Sequence, residues 1–177
     1  MRARKPALVA VDGISGAAIA AAARAALGSI DRARRSGVSR WDASGVFEEL
    51  TVAEDSAGQP SARTLLMLYA ADLAFRLRWE IRPALAEGRC VVAAPYVDTA
   101  IAFGRAAGLT SAWLSNLFQF APPPDVRRLA NGSVRSRANS GFVEFGCERI
   151  TGTLNGVTRD QLMDRVAAYL RARAQHR

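Results

Sequence analysis

The sequence predicts a three-layer α/β fold, in which helices cover both faces of a parallel sheet. Two apolar runs, 5–11 and 89–95, lack the polar alternation of a half-exposed strand and so indicate buried strands. Helical patterns follow both runs, and a strand, helix, strand order favours a parallel arrangement. The chain has 177 residues and is 50% apolar, which suits one domain over residues 1–177.

The elements of the first half are delimited by turn residues and apolar spacing. The first strand ends at Asp12-Gly13, and Gly28 closes the Ala-rich helix that follows it. Apolar residues recur at helical spacing from Leu65 to Leu85, which indicates a long helix. The predicted elements are a strand over 5–11, a helix over 16–27, a strand over 38–41, a helix over 44–50, a loop over 53–60 and a helix over 61–87.

The second half contains one clear break and a less regular C-terminal part. Pro95 ends the second buried strand, Asp98 is placed as the N-cap of the next helix, and Gly108 ends that helix. The prolines at 122–124 then interrupt the pattern. The predicted elements are a strand over 89–95, helices over 98–107 and 110–120, short strands over 126–130, 142–145 and 148–154, and a helix over 158–174.

Charge and cysteine usage limit the classes of function. The chain has 24 Lys and Arg against 16 Asp and Glu, and its net charge of +8 favours an anionic partner. Lys5 is the sole lysine, and an Arg- and Ala-rich composition is also typical of a GC-rich genome, so charge alone does not identify a nucleic-acid-binding module. Cys90 and Cys147 lack the spacing of a metal site, which predicts free buried thiols, no metal and a cytoplasmic protein. No apolar stretch is long enough to predict a membrane span.

The first strand runs into a Gly-x-x-Gly turn and then a helix, which is the order of a phosphate-binding P-loop. When G-x-x-x-x-G-K-[ST] is aligned from Gly13, Ala18 replaces the second glycine, Ile19 the lysine and Ala20 the Ser/Thr. Amides at a helix N-terminus attract anions even without the lysine. The candidates for a residual phosphate or nucleotide site are Gly13, Ser15, Gly16 and Ala17. The alternative is that the glycines only shape the turn.

Several later stretches resemble the thymidylate kinase family in order and spacing. Residues 65–72 and 81–88 are similar to the family's A-A-D-R and P-A-L-x-x-G segments, and residues 95–103 to its D-R-[YF]-x-D-S-x-x-A-Y-Q segment. Residues 38–42 resemble its T-R-E-P segment, and residues 124–126 its P-D-L. The resemblance implies a P-loop kinase fold and phosphoryl transfer from ATP to thymidine monophosphate.

Most groups that the resemblance implies for catalysis are replaced. The replacements are Ile19 for the lysine, Ala20 for the magnesium-binding Ser/Thr, Ala94-Pro95 for an Asp-Arg pair, Leu73 for an arginine that reads the nucleotide, Ser15 for an acidic residue at the sugar, and Gly104 for a glutamine. Losing one electrostatic group at such a site typically costs about 100- to 1000-fold in rate. We therefore expect no ordinary kinase activity, and neither ATP nor magnesium as a cofactor.

Other residues at family positions keep chemistry that could hold a nucleotide or a phosphate. They are Arg40, Asp72, Tyr96, Asp98 and Phe103, with Arg135 and Arg137 in the loop where the family carries its lid. Each also has a structural interpretation: Asp98 as a helix N-cap, Tyr96 and Phe103 as packing residues, and the loop arginines as a solvated basic turn. We expect the lid to be reduced or absent, because residues 131–141 leave no room for a helix.

The leading hypothesis is a catalytically inactive thymidylate-kinase-like protein that is retained for binding or assembly. The family dimerises through long helices, so the resemblance implies a homodimer through residues 61–87; a protein partner is the other form of assembly. The apolar residues expected at that interface are Leu66, Tyr69, Leu73, Leu77 and Trp79. Two alternatives stay open. One is an active nucleotide enzyme with relocated arginines, and the other is a basic nucleic-acid-binding module, which has no recognised motif here.

Overall fold

The structure is a computed structural model that describes residues 5–132 and 141–175, without the side chains of residues 54–57. Four strands form one sheet in the order β2-β3-β1-β4: β1 (Leu8–Asp12), β2 (Arg35–Arg40), β3 (Cys90–Ala94) and β4 (Val126–Leu129). All the pairings are parallel, with Val9 of β1 opposite Val92 on one side and Val126 on the other. The predicted α/β class with a parallel sheet is confirmed.

Helices connect the strands. They are α1 (Gly16–Gly28), α2 (Val46–Ala57), α3 (Ala62–Arg76), α4 (Arg82–Ala86), α5 (Val97–Ala106), α6 (Ser111–Phe118), α7 (Phe142–Ile150) and α8 (Arg159–Gln175), with 3-10 turns at Arg32–Arg34 and Thr151–Thr153. The helix predicted over 61–87 is one continuous helical path of α3, a π-helical turn at Leu77–Ile81 and α4. The π-helical turn precedes Pro83, whose ring would clash with the carbonyl four residues earlier in a regular α-helix.

Side chains of β1 and β3 alternate between two hydrophobic clusters. The larger cluster contains Leu8, Ala10, Val91 and Ala93 with residues of α3, α5, α7 and α8. The smaller cluster contains Val9, Val11, Val92 and Ala94 with residues of α1. Because successive residues of a strand point to opposite faces, α1 and the larger helical layer cover opposite faces of the sheet.

The region after β4 differs most from the sequence prediction. The strands predicted over 142–145 and 148–154 are wrong, since Phe142–Ile150 forms α7. Its buried residues are three and four positions apart, which is the spacing of an amphipathic helix. They are Phe142, Val143, Gly146, Cys147 and Ile150. The loop predicted over 53–60 is wrong in its first part, because α2 continues to Ala57.

The edge of the sheet explains the arginines in the last strand. Arg127 and Arg128 lie on β4, which pairs only with β1 among the described strands, and both are exposed. An edge strand tolerates charged side chains that a central parallel strand does not. Cys90 and Cys147 are free and buried, as predicted. Within the described ranges, no helix combines the length and apolar character needed to cross a membrane.

Most of the apolar residues expected at a dimer interface lie inside the chain's own core. Four of the five are at most 2% exposed: Leu66, Tyr69, Leu73 and Leu77. The surface of the same helical path instead carries Met67, Phe75 and Trp79, which are 52%, 39% and 65% exposed. The placement of Leu66, Tyr69, Leu73 and Leu77 at a dimer interface is therefore wrong. Trp79 alone of the five is exposed, and the dimer itself stays a prediction.

Candidate functional site

A buried carboxylate fixes the end of β1. Asp12 Oδ1 accepts hydrogen bonds from the Tyr96 amide at 2.9 Å, the Thr99 amide at 3.0 Å and the Thr99 hydroxyl at 2.7 Å. Burial, and to a smaller extent the charge of Asp98, raises the pKa of Asp12 above its usual range. These contacts join the P-loop-like turn to the start of α5.

The turn between β1 and α1 donates its amides to side chains of the same chain. The Gly13 amide donates to the Thr99 hydroxyl at 3.1 Å, and the Gly16 amide donates to the Glu144 carboxylate at 2.9 Å. Ser15 is the N-cap of α1, and its hydroxyl accepts from the amide three residues later at 3.4 Å. Two amides of the turn, those of Gly13 and Gly16, thus bind side chains of other elements of the same chain.

The lysine and Ser/Thr positions of the P-loop pattern carry apolar side chains. Ile19 is 4% exposed and belongs to the smaller hydrophobic cluster. A Cβ atom on Gly13 would lie 3.0 Å from Ile19 Cγ1, so Ile19 packs directly on the turn. Ala20 is half-buried. At these two positions the chain offers neither an ammonium group nor a hydroxyl.

A cavity of about 300 Å³ lies beside the turn, at the carboxyl ends of β2 and β3. Ligands of open parallel sheets bind at this edge. Arg24 and Arg40 line the cavity, and neither makes an ion pair with any residue in the described part of the chain. The other lining residues are Gly16, Ile19, Ala20, Ala23, Val38, Trp41, Ala94, Pro95 and Gly141. Residues 5–132 and 141–175 contain no group of three or more His, Cys, Asp or Glu that could hold a metal ion.

The predicted site residues separate into two groups. In the first group, Gly16 and Arg40 line the cavity, and Gly13, Ser15 and Ala17 lie in the turn before α1 or in its first turn. Those buried elsewhere, away from the cavity lining, are Asp72, Tyr96, Asp98 and Phe103. Arg135 and Arg137, the loop candidates for a phosphate site, lie outside the described residues.

Asp72 anchors the turn that follows β2. It is fully buried and accepts hydrogen bonds from the Ser44 amide at 2.9 Å, the Ser44 hydroxyl at 2.8 Å and the Asp42 amide at 3.1 Å. Asp42 has a φ of 60°, so this turn uses the left-handed region. Arg76, also buried, approaches Asp72 to 3.9 Å and donates to backbone carbonyls of β2 and of the residue after β3 at 2.9 and 2.8 Å.

Asp98 is not the N-cap of α5, in contrast to the prediction. Tyr96 occupies the cap position without a side-chain cap bond, and Asp98 lies in the first turn of the helix. Its carboxylate pairs with Arg127 of β4 at 3.0 Å and with Arg173 of α8 at 2.7 Å. Asp98 therefore connects the C-terminal helix to the edge of the sheet.

Tyr96 and Phe103 pack inside the domain. The Tyr96 hydroxyl donates to the Pro122 carbonyl at 2.7 Å, and burial raises the pKa of Tyr96 to about 12. The Phe103 ring lies 5.0 Å from the Phe142 ring, centroid to centroid. These contacts correspond to the structural interpretation of both residues.

Sequence reasoning missed Glu144 and Thr99, which engage the turn directly. Glu144 follows Gly141 by three residues, ahead of an apolar run, which is the spacing of a capping box. The Gly141 amide donates to Glu144 at 2.7 Å, as that spacing predicts. No local pattern marks Thr99, because its contacts join residues 86 and 87 positions apart.

The parallel sheet and the P-loop-like turn define a P-loop kinase fold. Two curated proteins are similar to part of the chain. A probable thymidylate kinase of Pyrococcus abyssi is 34% identical over 84 residues, and a probable thymidylate kinase of Pyrococcus horikoshii is 38% identical over 69 residues. The matches cover 45% and 39% of this chain, and they span 41% and 34% of the two relatives' lengths.

A solved structure shares the complete fold. The thymidylate kinase from Ehrlichia chaffeensis matches with a TM-score of 0.67 at 14% identity, over 98% of this chain and 89% of that chain. No protein-family model matches the chain. Part of the chain is thus similar in sequence to proteins named thymidylate kinase, and the whole chain has the fold of a solved thymidylate kinase.

Proposed function

We propose that this chain is a thymidylate-kinase-like protein that does not transfer phosphoryl groups and that acts by binding or assembly. The observation that carries the proposal is the apolar wall of the cavity beside the turn. Ile19, Ala20, Ala94 and Pro95 line it at positions where the family resemblance implies charged or hydroxyl groups. Phosphoryl transfer depends on such groups to position phosphates and to neutralise developing charge.

The expected loss of rate is large. One missing electrostatic group typically costs about 100- to 1000-fold, and losses within one site do not add simply. Even with strong non-additivity, the combined absence of the lysine, the Ser/Thr and the Asp-Arg pair leaves a rate close to that of the uncatalysed reaction.

The direct test is a transfer assay with radiolabelled ATP, thymidine monophosphate and magnesium. The P. abyssi relative serves as the positive control for the assay. We expect no transfer above background from this chain. Saturable, magnesium-dependent transfer would support the alternative of an active enzyme with relocated arginines and would refute the proposal.

The binding part of the proposal concerns the cavity. Arg24 and Arg40 line it beside mostly apolar walls, which supports a nucleotide or another phosphate ligand held without magnesium. Calorimetry with thymidine monophosphate, with and without magnesium, measures this. Arg40→Ala should weaken binding, whereas Arg128→Ala, which removes an exposed arginine of β4, should not. Equal weakening by both variants would indicate general attraction by the net charge.

The assembly part concerns the exposed apolar face of α3 and the following π-helical turn, which carries Met67, Phe75 and Trp79. We propose that a second copy of the chain covers this face. Light scattering at micromolar concentration should give a dimer for the parent and a monomer for Trp79→Glu. Val52→Glu is the matched control, since Val52 is 76% exposed on α2. A monomeric parent protein would refute the homodimer.

A further inference from the structure

We infer that the Glu144 carboxylate is a built-in anion for the P-loop-like turn and that it closes this turn to external phosphate. A single oxygen, Glu144 Oε2, accepts the Gly16 amide at 2.9 Å and the Gly141 amide at 2.7 Å. Gly16 is the first residue of α1, and Gly141 is the N-cap of α7. Two helix N-termini therefore converge on one carboxylate oxygen.

The chemistry of this contact is that of phosphate at a P-loop. Each helix N-terminus carries partial positive charge and N–H donors without intrahelical partners, and both favour a bound anion. A phosphate on the Gly16 amide would need the space that Glu144 Oε2 takes. External phosphate must therefore compete with a carboxylate of the same chain, which is held at the turn at a high effective concentration.

The packing around Glu144 fits a permanent contact. A Cβ atom on Gly141 would lie 2.9 Å from Gly16 Cα, so the two backbones touch and a glycine is required at 141. The next residue, Phe142, is fully buried, with its ring 4.5 Å from Tyr69 and 5.0 Å from Phe103. This packing fixes the start of α7 and thereby holds Glu144 beside the turn.

The inference rests on the proposed function in one respect, namely that the turn takes no part in phosphoryl transfer. It is tested by thermal unfolding and not by a transfer assay. The probe is inorganic pyrophosphate, titrated into the parent, Glu144→Ala and Glu148→Ala at low salt, with thermal unfolding measured at each concentration. Glu148→Ala is the matched control because it removes an exposed carboxylate from the same helix.

We expect Glu144→Ala to melt roughly 3–10 °C below the parent, because it loses two charge-assisted hydrogen bonds. Pyrophosphate should restore this loss saturably by occupying the vacated position. The parent and Glu148→Ala should respond to pyrophosphate equally, and less than Glu144→Ala, because only the cavity arginines and the net charge attract it in these two proteins. An equal response of all three proteins would overturn the inference.

Glu144→Gln keeps the shape of the side chain and removes its charge, so it carries the test if Glu144→Ala does not fold. Its pyrophosphate response should fall between those of the parent and Glu144→Ala. The Gly16 amide signal in NMR separates this inference from the proposed function. A pyrophosphate-dependent shift of Gly16 in the parent as large as that in Glu144→Ala, without phosphoryl transfer, would overturn the inference alone. Transfer without such a shift would overturn the proposed function alone.

Discussion

Substitution of Asp72 tests whether this residue serves the fold. The carboxylate is fully buried, accepts three hydrogen bonds from the turn at 42–44 and is the nearest acidic group to the buried Arg76. Asp72→Ala would remove the acceptor of these three hydrogen bonds and leave the buried Arg76 charge without its carboxylate partner. Breaking a buried pair by removing one member typically costs about 3–5 kcal/mol. We expect a loss of that size in the free energy of unfolding.

Urea denaturation followed by circular dichroism measures this loss. Asp72→Asn retains the side-chain volume and one acceptor oxygen, so its loss should be smaller than that of Asp72→Ala. Glu87→Ala removes a 59% exposed carboxylate further along the same helical path and should change stability little. If the free energy of unfolding of Asp72→Ala lies within about 1 kcal/mol of the parent's, the Asp72 carboxylate does not anchor the turn at 42–44.

Three further predictions concern packing, thiol reactivity and the C-terminal helix. Gly104→Ala should lower the free energy of unfolding by about 1–3 kcal/mol in urea denaturation, because its Cβ would clash with a methyl group of Leu114 on α6. Burial raises the pKa of Cys147 to about 12, so its thiolate fraction stays small. Mass spectrometry should therefore detect no iodoacetamide labelling of Cys147 in the folded protein from pH 7 to 9, whereas labelling should appear in urea. Arg173→Ala should lower the free energy of unfolding by about 1.5–3 kcal/mol, because it loses two hydrogen bonds to Asp98, and it should speed proteolysis of α8. Arg171→Ala should change neither stability nor proteolysis.

The sheet and most helices could be predicted because their signals are local. Strands β1 and β3 are fully buried, so each is a continuous apolar run that needs no long-range information to recognise. The helical path from Ala62 to Ala86 is long enough for its periodicity to be unmistakable. Helix α7 is only nine residues long and contains Phe, Val and Gly. These residues have weak helix propensity, and they are also common in short strands or turns, so the local sequence did not indicate a helix.

The site was less predictable because its contacts are between distant parts of the chain. Family positions singled out the turn and Arg40, which lines the cavity, and ligand binding by these residues stays a prediction. They could not indicate that Asp72 binds a turn 28 and 30 residues away, or that Glu144 binds an amide 128 residues away. Such partners depend on which elements the fold brings together, and a single sequence carries no direct record of that.

The residues that differ from the P-loop kinase pattern have packing partners of their own, and this bears on whether substitutions toward that pattern would be tolerated. Ile19 is buried in the smaller cluster, Gly104 leaves room for a leucine of α6, and the Gly16 amide is bound by Glu144. A lysine restored at position 19 would have to carry its ammonium group out of an apolar cluster or lose its charge there. Phosphate would still meet the Glu144 carboxylate on the turn. Single substitutions toward the pattern should therefore lower stability before they create phosphate binding at the turn, because the surrounding side chains pack against the residues now present.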